Sequence, residues 1–289
     1  MQIQKKLLLL APVFFLLGAC HQALYLEPMP QNANTLSRLP ADIAGVYEII
    51  PAPEELPEPG SMAELFKAYL VMERIDDQKM VFYVEMRMPI SDMDKLRALL
   101  QGWVQEGKIK DYQLSRRMLW ISGGRNAQGQ DLGTQQIALL PSGNWLLHLG
   151  SYEPFGQLDL KSGHFLKFDQ LKQEHLRQEL MPEADSLAMT IQKAVLKRAP
   201  EGLFLNTETE EGQWQCMYFV KTAQDRYILN SGYIESEQDF NAYLKKNFPE
   251  RAYQETNDKD ILLDISDEAF IKMQQTPSLW DVMQLRKVE

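Results

Sequence analysis

Lys79-Met80-Val81-Phe82-Tyr83-Val84-Glu85-Met86-Arg87-Met88 alternates without a break. Met80, Phe82, Val84, Met86 and Met88 fall on one face at period two, and Val81, Tyr83, Glu85 and Arg87 fall on the other. That pattern belongs to a strand with one apolar side. Residues 66–75 precede it, with Asp76-Asp77-Gln78 between, so the two runs read as an antiparallel hairpin. Directly afterwards the period changes. Met93, Leu96, Leu99, Leu100, Trp103 and Val104 form a stripe at helical spacing, behind Pro89 and a Ser91 cap with Asp94 three residues on. A strand pair that hands over to an amphipathic helix sets the expected class. It is α+β, with antiparallel strands and hairpins and several packed helices.

The same order returns later in the chain. Gly45-Val46-Tyr47 opens a strand at 44–50 ahead of a proline-rich loop at 51–60. Gly202-Leu203-Phe204 opens another, followed by a hairpin of 214–221 against 226–233 that turns near Gln224-Asp225. A helix then starts at a Ser236 cap, with Asp239 three residues on and Phe240, Tyr243 and Leu244 apolar. Two similar β-β-α modules are one reading of this order, although the two sequences do not align well. Between them, 112–168 reads as a meander of short strands at 117–121, 135–140, 145–149, 156–160 and 164–168. Turn residues separate them: Gly123-Gly124, Asn126 to Gly129, Pro141-Ser142-Gly143-Asn144 and Lys161-Ser162-Gly163. Two helices are expected at 169–180 and 183–198, the second with Leu187, Ile191 and Val195 on its buried side. The chain closes with a strand at 261–265, a helix at 266–275 and a segment at 279–288 that suits either strand or helix. The division that follows is a mainly β module with one helix at 43–168 and a helical connection with a second α+β module at 169–289.

The first twenty residues have a different character. Lys5 and Lys6 form a charged start, and residues 7–17 are apolar apart from Pro12. The run is too short to span a bilayer as a helix and has the plan of a secretory signal. Its end, Leu17-Gly18-Ala19-Cys20, resembles the lipobox of bacterial lipoproteins. The resemblance implies export, a diacylglycerol on the Cys20 sulfur, cleavage after Ala19 (a signal peptide of 1–19) and acylation of the new amino terminus. Membrane contact then comes through the lipid anchor, and more than one acyl chain anchors stably. In enteric bacteria an aspartate after the cysteine resembles an inner-membrane retention signal. Here His21 follows, which implies the outer membrane, facing the periplasm. Residues 20–42 are expected to form the lipidated cysteine and a flexible tether. The segment 21–40 carries Pro28, Pro30, Asn32, Asn34 and Pro40 and shows no period. As a coil it would average about 25 Å end to end.

Charge and cysteines narrow the partners. Loss of Lys5 and Lys6 with the leader takes the net charge from −10 to −12 over 270 residues. An acidic body argues against nucleic acid and against a surface that clings to anionic lipid. With Cys20 committed to lipid, Cys216 has no intramolecular partner. It lies in the strand-like run Gln213-Trp214-Gln215-Cys216-Met217-Tyr218-Phe219-Val220, which favours burial as a small hydrophobe. Stability must then come from the core.

Chemical motifs are sparse. His21, His148, His164 and His175 show no ligand spacing, so no metal and no cofactor is expected. There is no G-x-S-x-G elbow, and Ser142 and Ser151 suit turns. Gly123-Gly124 lies between strands, whereas a phosphate loop must lead into a helix. Asp76, Asp77, Glu208, Glu210 and Glu211 fall in turns, where carboxylates stay solvated, and the last three lack the alternating pattern of a calcium loop. Met86-x-Met88 lies on the apolar side of a strand, where packing explains it better than copper ligation.

The resulting expectation is a membrane-anchored envelope lipoprotein. Its soluble, non-catalytic body binds an unknown envelope protein or serves envelope maintenance. Two alternatives stand beside it. Gly45-Val46-Tyr47 resembles the glycine-x-tryptophan start of lipocalin-like barrels, with tyrosine in the tryptophan place, which implies a carrier of a small molecule or lipid. An envelope hydrolase would need His148, Cys216 or a carboxylate pair to meet in a cleft.

Overall fold

The computed structural model describes residues 21–52, 57, 61–124, 133–168 and 189–289. Its strands in chain order begin with β1 (Ala23–Tyr25), β2 (Asn34–Thr35), β3 (Gly45–Ile50), β4 (Lys67–Arg74) and β5 (Lys79–Pro89). Helix α1 (Met93–Gln105) follows, then β6 (Asp111–Leu114), β7 (Met118–Ser122), β8 (Thr134–Ser142), β9 (Trp145–Asp159) and β10 (His164–Phe168). The rest is β11 (Met189–Ala199), β12 (Gly202–Glu208), β13 (Trp214–Lys221), β14 (Arg226–Ile234), α2 (Glu237–Asn247), β15 (Tyr253–Glu255), β16 (Ile261–Leu263), α3 (Asp267–Gln274) and β17 (Trp280–Lys287).

Ten of these strands close on themselves. The ring runs β3-β4-β5-β9-β10-β11-β12-β13-β14-β17 and returns from β17 to β3, with every pair antiparallel. Closure removes both free sheet edges. The α+β expectation is therefore wrong: the body is a large antiparallel barrel with additional strands, and among the described residues it has three short helices. The barrel also crosses the expected boundary at 168/169. β3, β4, β5, β9 and β10 come from one side of it, and the other five barrel strands from the other.

The specific departures have physical causes. The expected helix at 183–198 is strand β11 from Met189 onward. Leu187, Ile191 and Val195 are spaced by four, and four is a multiple of the strand period as well as near a helical turn. The expected helix at 169–180 lies outside the described residues. The two short strands at 145–149 and 156–160 are one strand of 15 residues, β9, continuous through Pro154. It pairs with β5 along its length, with irregularities near Phe82/Tyr83 and Val84/Met86. The α1 cap is Asp92 at the end of a short 3₁₀ turn, not Ser91. The α2 and α3 caps, Ser236 and Ser266, accept from the backbone N–H of Asp239 and Ala269.

The module comparison also fails in detail. Tyr47 points into the barrel, whereas Phe204 points away from it into a core on the outer wall. Gly45-Val46-Tyr47 and Gly202-Leu203-Phe204 are therefore not equivalent in the fold.

Three cores result. Inside the barrel lie Tyr47, Leu70, Met80, Phe82, Val84, Phe165, Leu196, Leu203 and Leu285. On the outer wall of β12–β14, Phe204, Trp214, Cys216 and Tyr218 pack against α2, α3 and β1 through Phe240, Leu244, Phe270 and Tyr25. This wall is buried on both faces, which is why β12 and β13 read as nearly continuous apolar runs. The third core holds Met86 and Met88 of β5 with Leu96 and Leu100 of α1 and Leu119, Ile121 and Ile137 of β7 and β8. So β5 keeps its alternation but serves two cores, the barrel with its first half and the α1 lobe with its second.

The amino-terminal segment is built into this body. Ala23, Leu24 and Tyr25 are buried, and β1 runs antiparallel to β13 and parallel to β16. Residues 36–43 then cross one end of the barrel. The Leu36 N–H donates to Leu196 O, and the Leu39 N–H donates to Asp77 O in the β4–β5 turn. Leu39 and Ile43 enter the barrel core. The expected flexible tether at 21–42 is thus a packed strap, because its apolar residues find places on the wall and at the barrel end.

Candidate functional site

Two features bear on function: the barrel interior and the strap that leads to it. The interior is lined by Leu70, Met72, Phe82, Leu158, Phe165 and their neighbours around the ring, with essentially no polar surface. Aromatic packing fills much of it. Phe219 and Tyr227 stack at 5.1 Å, and Tyr47 meets both edge-on. The Tyr47 hydroxyl donates to Ile43 O at 2.7 Å. Burial raises its pKa, so it stays a neutral donor. What remains open is a cavity of about 60 Å³. Benzene occupies an engineered protein cavity of ~150 Å³, and drug-sized ligands take ~300–1,000 Å³.

The strap is held by side chains that imitate a strand partner. The Met29 N–H donates to Asn206 Oδ1 and Asn206 Nδ2 donates to Met29 O, both at 2.8 Å. Lys197 Nζ donates to Pro28 O (2.9 Å), Pro30 O (2.7 Å) and Gln31 O (3.1 Å). Burial lowers the lysine pKa, with Asp267, Cys216 and Glu27 opposing that shift. Asp267 at the start of α3 accepts from the backbone N–H groups of Gln31 and Asn32. A buried chain of side chains completes the docking. Asn230 Nδ2 donates to Gln274 Oε1 (2.7 Å), and Gln274 Nε2 donates to the Tyr25 hydroxyl (3.3 Å).

At the start of the strap, the Ile234 N–H donates to His21 O (2.9 Å) and the Gln22 N–H donates to Asp260 Oδ1 (2.8 Å). The Ile261 N–H donates to Gln22 O (2.8 Å), and His21 Nδ1 lies 3.4 Å from Glu237 Oε2. Residues 1–19 and Cys20, and with them the signal peptide, Ala19 and the lipidation site, lie outside the described residues.

The other residues singled out from sequence fall in separate places. Cys216 is fully buried under the strap, its Sγ beside Met29 O (4.0 Å) and Met217 O (3.8 Å). Burial pushes the thiol far up, with Lys197 offsetting part of the shift. His148 belongs to the part of β9 that pairs with Met86 of β5 and Leu139 of β8, four strands around the ring from β13. Cys216 points away from the barrel interior, into the outer-wall core. His164 is exposed at the β9–β10 turn. His175 lies outside the described residues, as does the segment 126–129. Ser142 ends β8 at a two-residue hairpin turn, and Ser151 lies within β9. Gly123 adopts φ +67 and closes the base of the β7–β8 loop through its N–H to Gly133 O.

Asp76 accepts from the backbone N–H groups of Gln78 and Lys79 in its turn, and Asp77 pairs with Arg74. Glu208 lies 3.6 Å from Lys193 Nζ, while Glu210 and Glu211 are exposed. Among the described residues no group of three or more potential ligands gathers to hold a metal. Met86 and Met88 are core residues of the α1 lobe.

Sequence reasoning passed over two carboxylates on the outer wall. Glu48 on β3 is buried between Lys67 and Arg286. Burial raises its pKa, but hydrogen bonds and charge from the two cations outweigh that and leave it below the ordinary value. Glu85 on β5 is also buried. Its pKa is raised by burial, and Arg87 compensates only in part. The Glu85 position on the polar face of an alternating strand gave no sign of burial. Outside the barrel, a hollow of about 570 Å³ lies between residues 30–34, the β11–β12 turn and α3. Of its charged groups, Asp267 is committed to the strap and Arg198 to Asp42.

The chain matches no protein-family model, no curated protein and no solved structure.

Proposed function

We propose that the chain is a lipid-anchored envelope protein whose barrel is a packed, non-catalytic scaffold that presents its outer surface to a partner. The observation that carries this reading is the junction at residue 20. A lipobox-like Leu17-Gly18-Ala19-Cys20 passes directly into a strap that is hydrogen-bonded from His21 onward and buried from Ala23. The filled interior supports a scaffold over a container. The outward, sealed Cys216 supports a non-catalytic body over a thiol hydrolase. The test is incorporation of labelled palmitate in producing bacteria, expected in the native chain and absent from Cys20→Ala. Equal labelling of the two would refute lipidation at this cysteine.

A carrier is the second reading, favoured by one observation: a closed barrel with an apolar interior. In the described arrangement Leu39 and Ile43 cover one end, and 60 Å³ admits no acyl chain. Loading would require Phe82, Phe165 or Met217 to change rotamer. Native mass spectrometry of protein taken gently from cells would reveal a retained ligand. A chain at its bare acylated mass, with no thermal shift on adding fatty acids, would exclude this reading.

A further inference from the structure

We propose that the body sits flush on the membrane, with the first turn of α2 and the turn at 256–260 at headgroup level, and that the lipid it meets there is zwitterionic. The inference rests on the anchored reading above and adds an orientation and a lipid class to it.

Cys20 is one peptide bond from His21, so their Cα atoms are about 3.8 Å apart whatever the local conformation. His21 O is already bonded to Ile234, two residues before the Ser236 cap of α2. Gln22 is bonded on both sides, to Asp260 and to Ile261. Acyl chains on Cys20 therefore leave the protein within a residue or two of these groups. Freeing the strap as a stalk would expose Ala23, Leu24, Tyr25 and Met29, all buried, and break the clamps at Asn206 and Lys197. The anchor is effectively without a spacer, and the orientation of the body follows from where β1 is docked.

The surface around the exit point is acidic. Glu235, Glu237, Asp239 and Asp258 are exposed there, against Lys259. Anionic headgroups would repel these carboxylates within a Debye length, about 8 Å at physiological ionic strength. Zwitterionic headgroups would not.

The experiment places a fluorophore at Gln238→Cys, exposed in the first turn of α2, or at Ala223→Cys, exposed in the β13–β14 turn. The two lie beyond opposite ends of β14, a strand about 26 Å long. Acylated protein is inserted into phosphatidylcholine vesicles carrying a headgroup nitroxide lipid. Quenching at 238 should exceed that at 223 at least threefold. A ten-residue Gly-Ser insert between Cys20 and His21 should bring the ratio toward one. Replacing a third of the lipid by phosphatidylglycerol should weaken quenching at 238 at low salt, and added salt should restore it. Equal quenching of the two sites in an acylated chain without the insert would overturn the placement alone. An amino-terminal peptide lacking acyl mass would overturn the anchor and the placement together.

Discussion

Asn206 and Met29 exchange two hydrogen bonds of 2.8 Å, one in each direction. The side-chain amide of a barrel residue thereby does what a neighbouring strand would do for the strap backbone. Asn206 is completely buried, so the Met29 amide and carbonyl have no water to turn to. Asn206→Ala should cost about 2–4 kcal/mol, since each buried group left unpaired costs ~1–3 kcal/mol. Asn206→Asp should also destabilise, because the carboxylate accepts from the Met29 N–H but cannot donate to its carbonyl. Urea denaturation gives the magnitude. Amide exchange should locate the first effect at residues 22–31, and a uniform loss across the barrel would refute the local role.

A second pair sits inside the barrel. A Cβ on Gly156 would lie 2.1 Å from the Phe165 ring, which is itself packed on Phe82 at 6.1 Å. Gly156 on β9 therefore makes room for an aromatic side chain of β10. Gly156→Ala should destabilise by about 1–3 kcal/mol through overpacking. Phe165→Leu should cost a similar amount alone by opening space. The double variant should cost less than the sum, and simple additivity in a double-mutant cycle would show that the two residues do not compete for the same volume.

Glu48 and Glu85 lie on the same outer wall and should respond oppositely to pH and to neutralisation. Glu48 has a folded pKa below its unfolded value, so it stabilises the protein above the unfolded value, and this is lost as pH falls through the folded one. Glu48→Gln should cost about 1–2 kcal/mol at pH 7, with the penalty fading on acidification below about pH 4.5. Glu85 has a raised folded pKa, so its ionised form opposes folding above that pKa, and protonation relieves this as pH falls. Glu85→Gln should be neutral or mildly stabilising at pH 7, with the difference from the native chain vanishing in acid. Parallel denaturation series at pH 4 and pH 7 give the comparison, and same-sign effects at pH 7 would refute it.

The hairpin of β4 and β5, the Ser236 cap, the helix that begins at Ser266 and most strands of the barrel are legible in the sequence, because they rest on local periodicity and turn chemistry. Closure is not. It depends on β17 meeting β3 across more than two hundred residues, and no local pattern encodes which edges pair. The strap was misread for a related reason. Proline and asparagine mark irregular backbone, and irregular backbone docked by Asn206 and Lys197 looks locally like a free coil. β11 was misread because a spacing of four satisfies both periods. Of the sites, burial of Cys216 followed from its apolar neighbours, whereas Glu85 was hidden by its place on the polar face of an alternating strand, and no local pattern marks Glu48 for burial.

Cys216 offers a probe of the strap without any engineered label. It is sealed beneath Met29, and burial holds its thiol protonated far above neutral pH. Only the thiolate reacts with disulfide reagents, so at pH 8 modification should require the strap to open. In that regime the labelling rate tracks the free energy of local opening, about tenfold per 1.4 kcal/mol. Asn206→Ala should then accelerate labelling by roughly 30- to 1,000-fold, matching the 2–4 kcal/mol argued above. Gly156→Ala, which strains the barrel interior and leaves the strap contacts in place, should accelerate it far less than its own global destabilisation allows. The rates are measured with the mature chain under native conditions, by mass spectrometry of the peptide that contains Cys216. Rapid labelling of the unaltered protein would show that the strap does not cover this cysteine in solution.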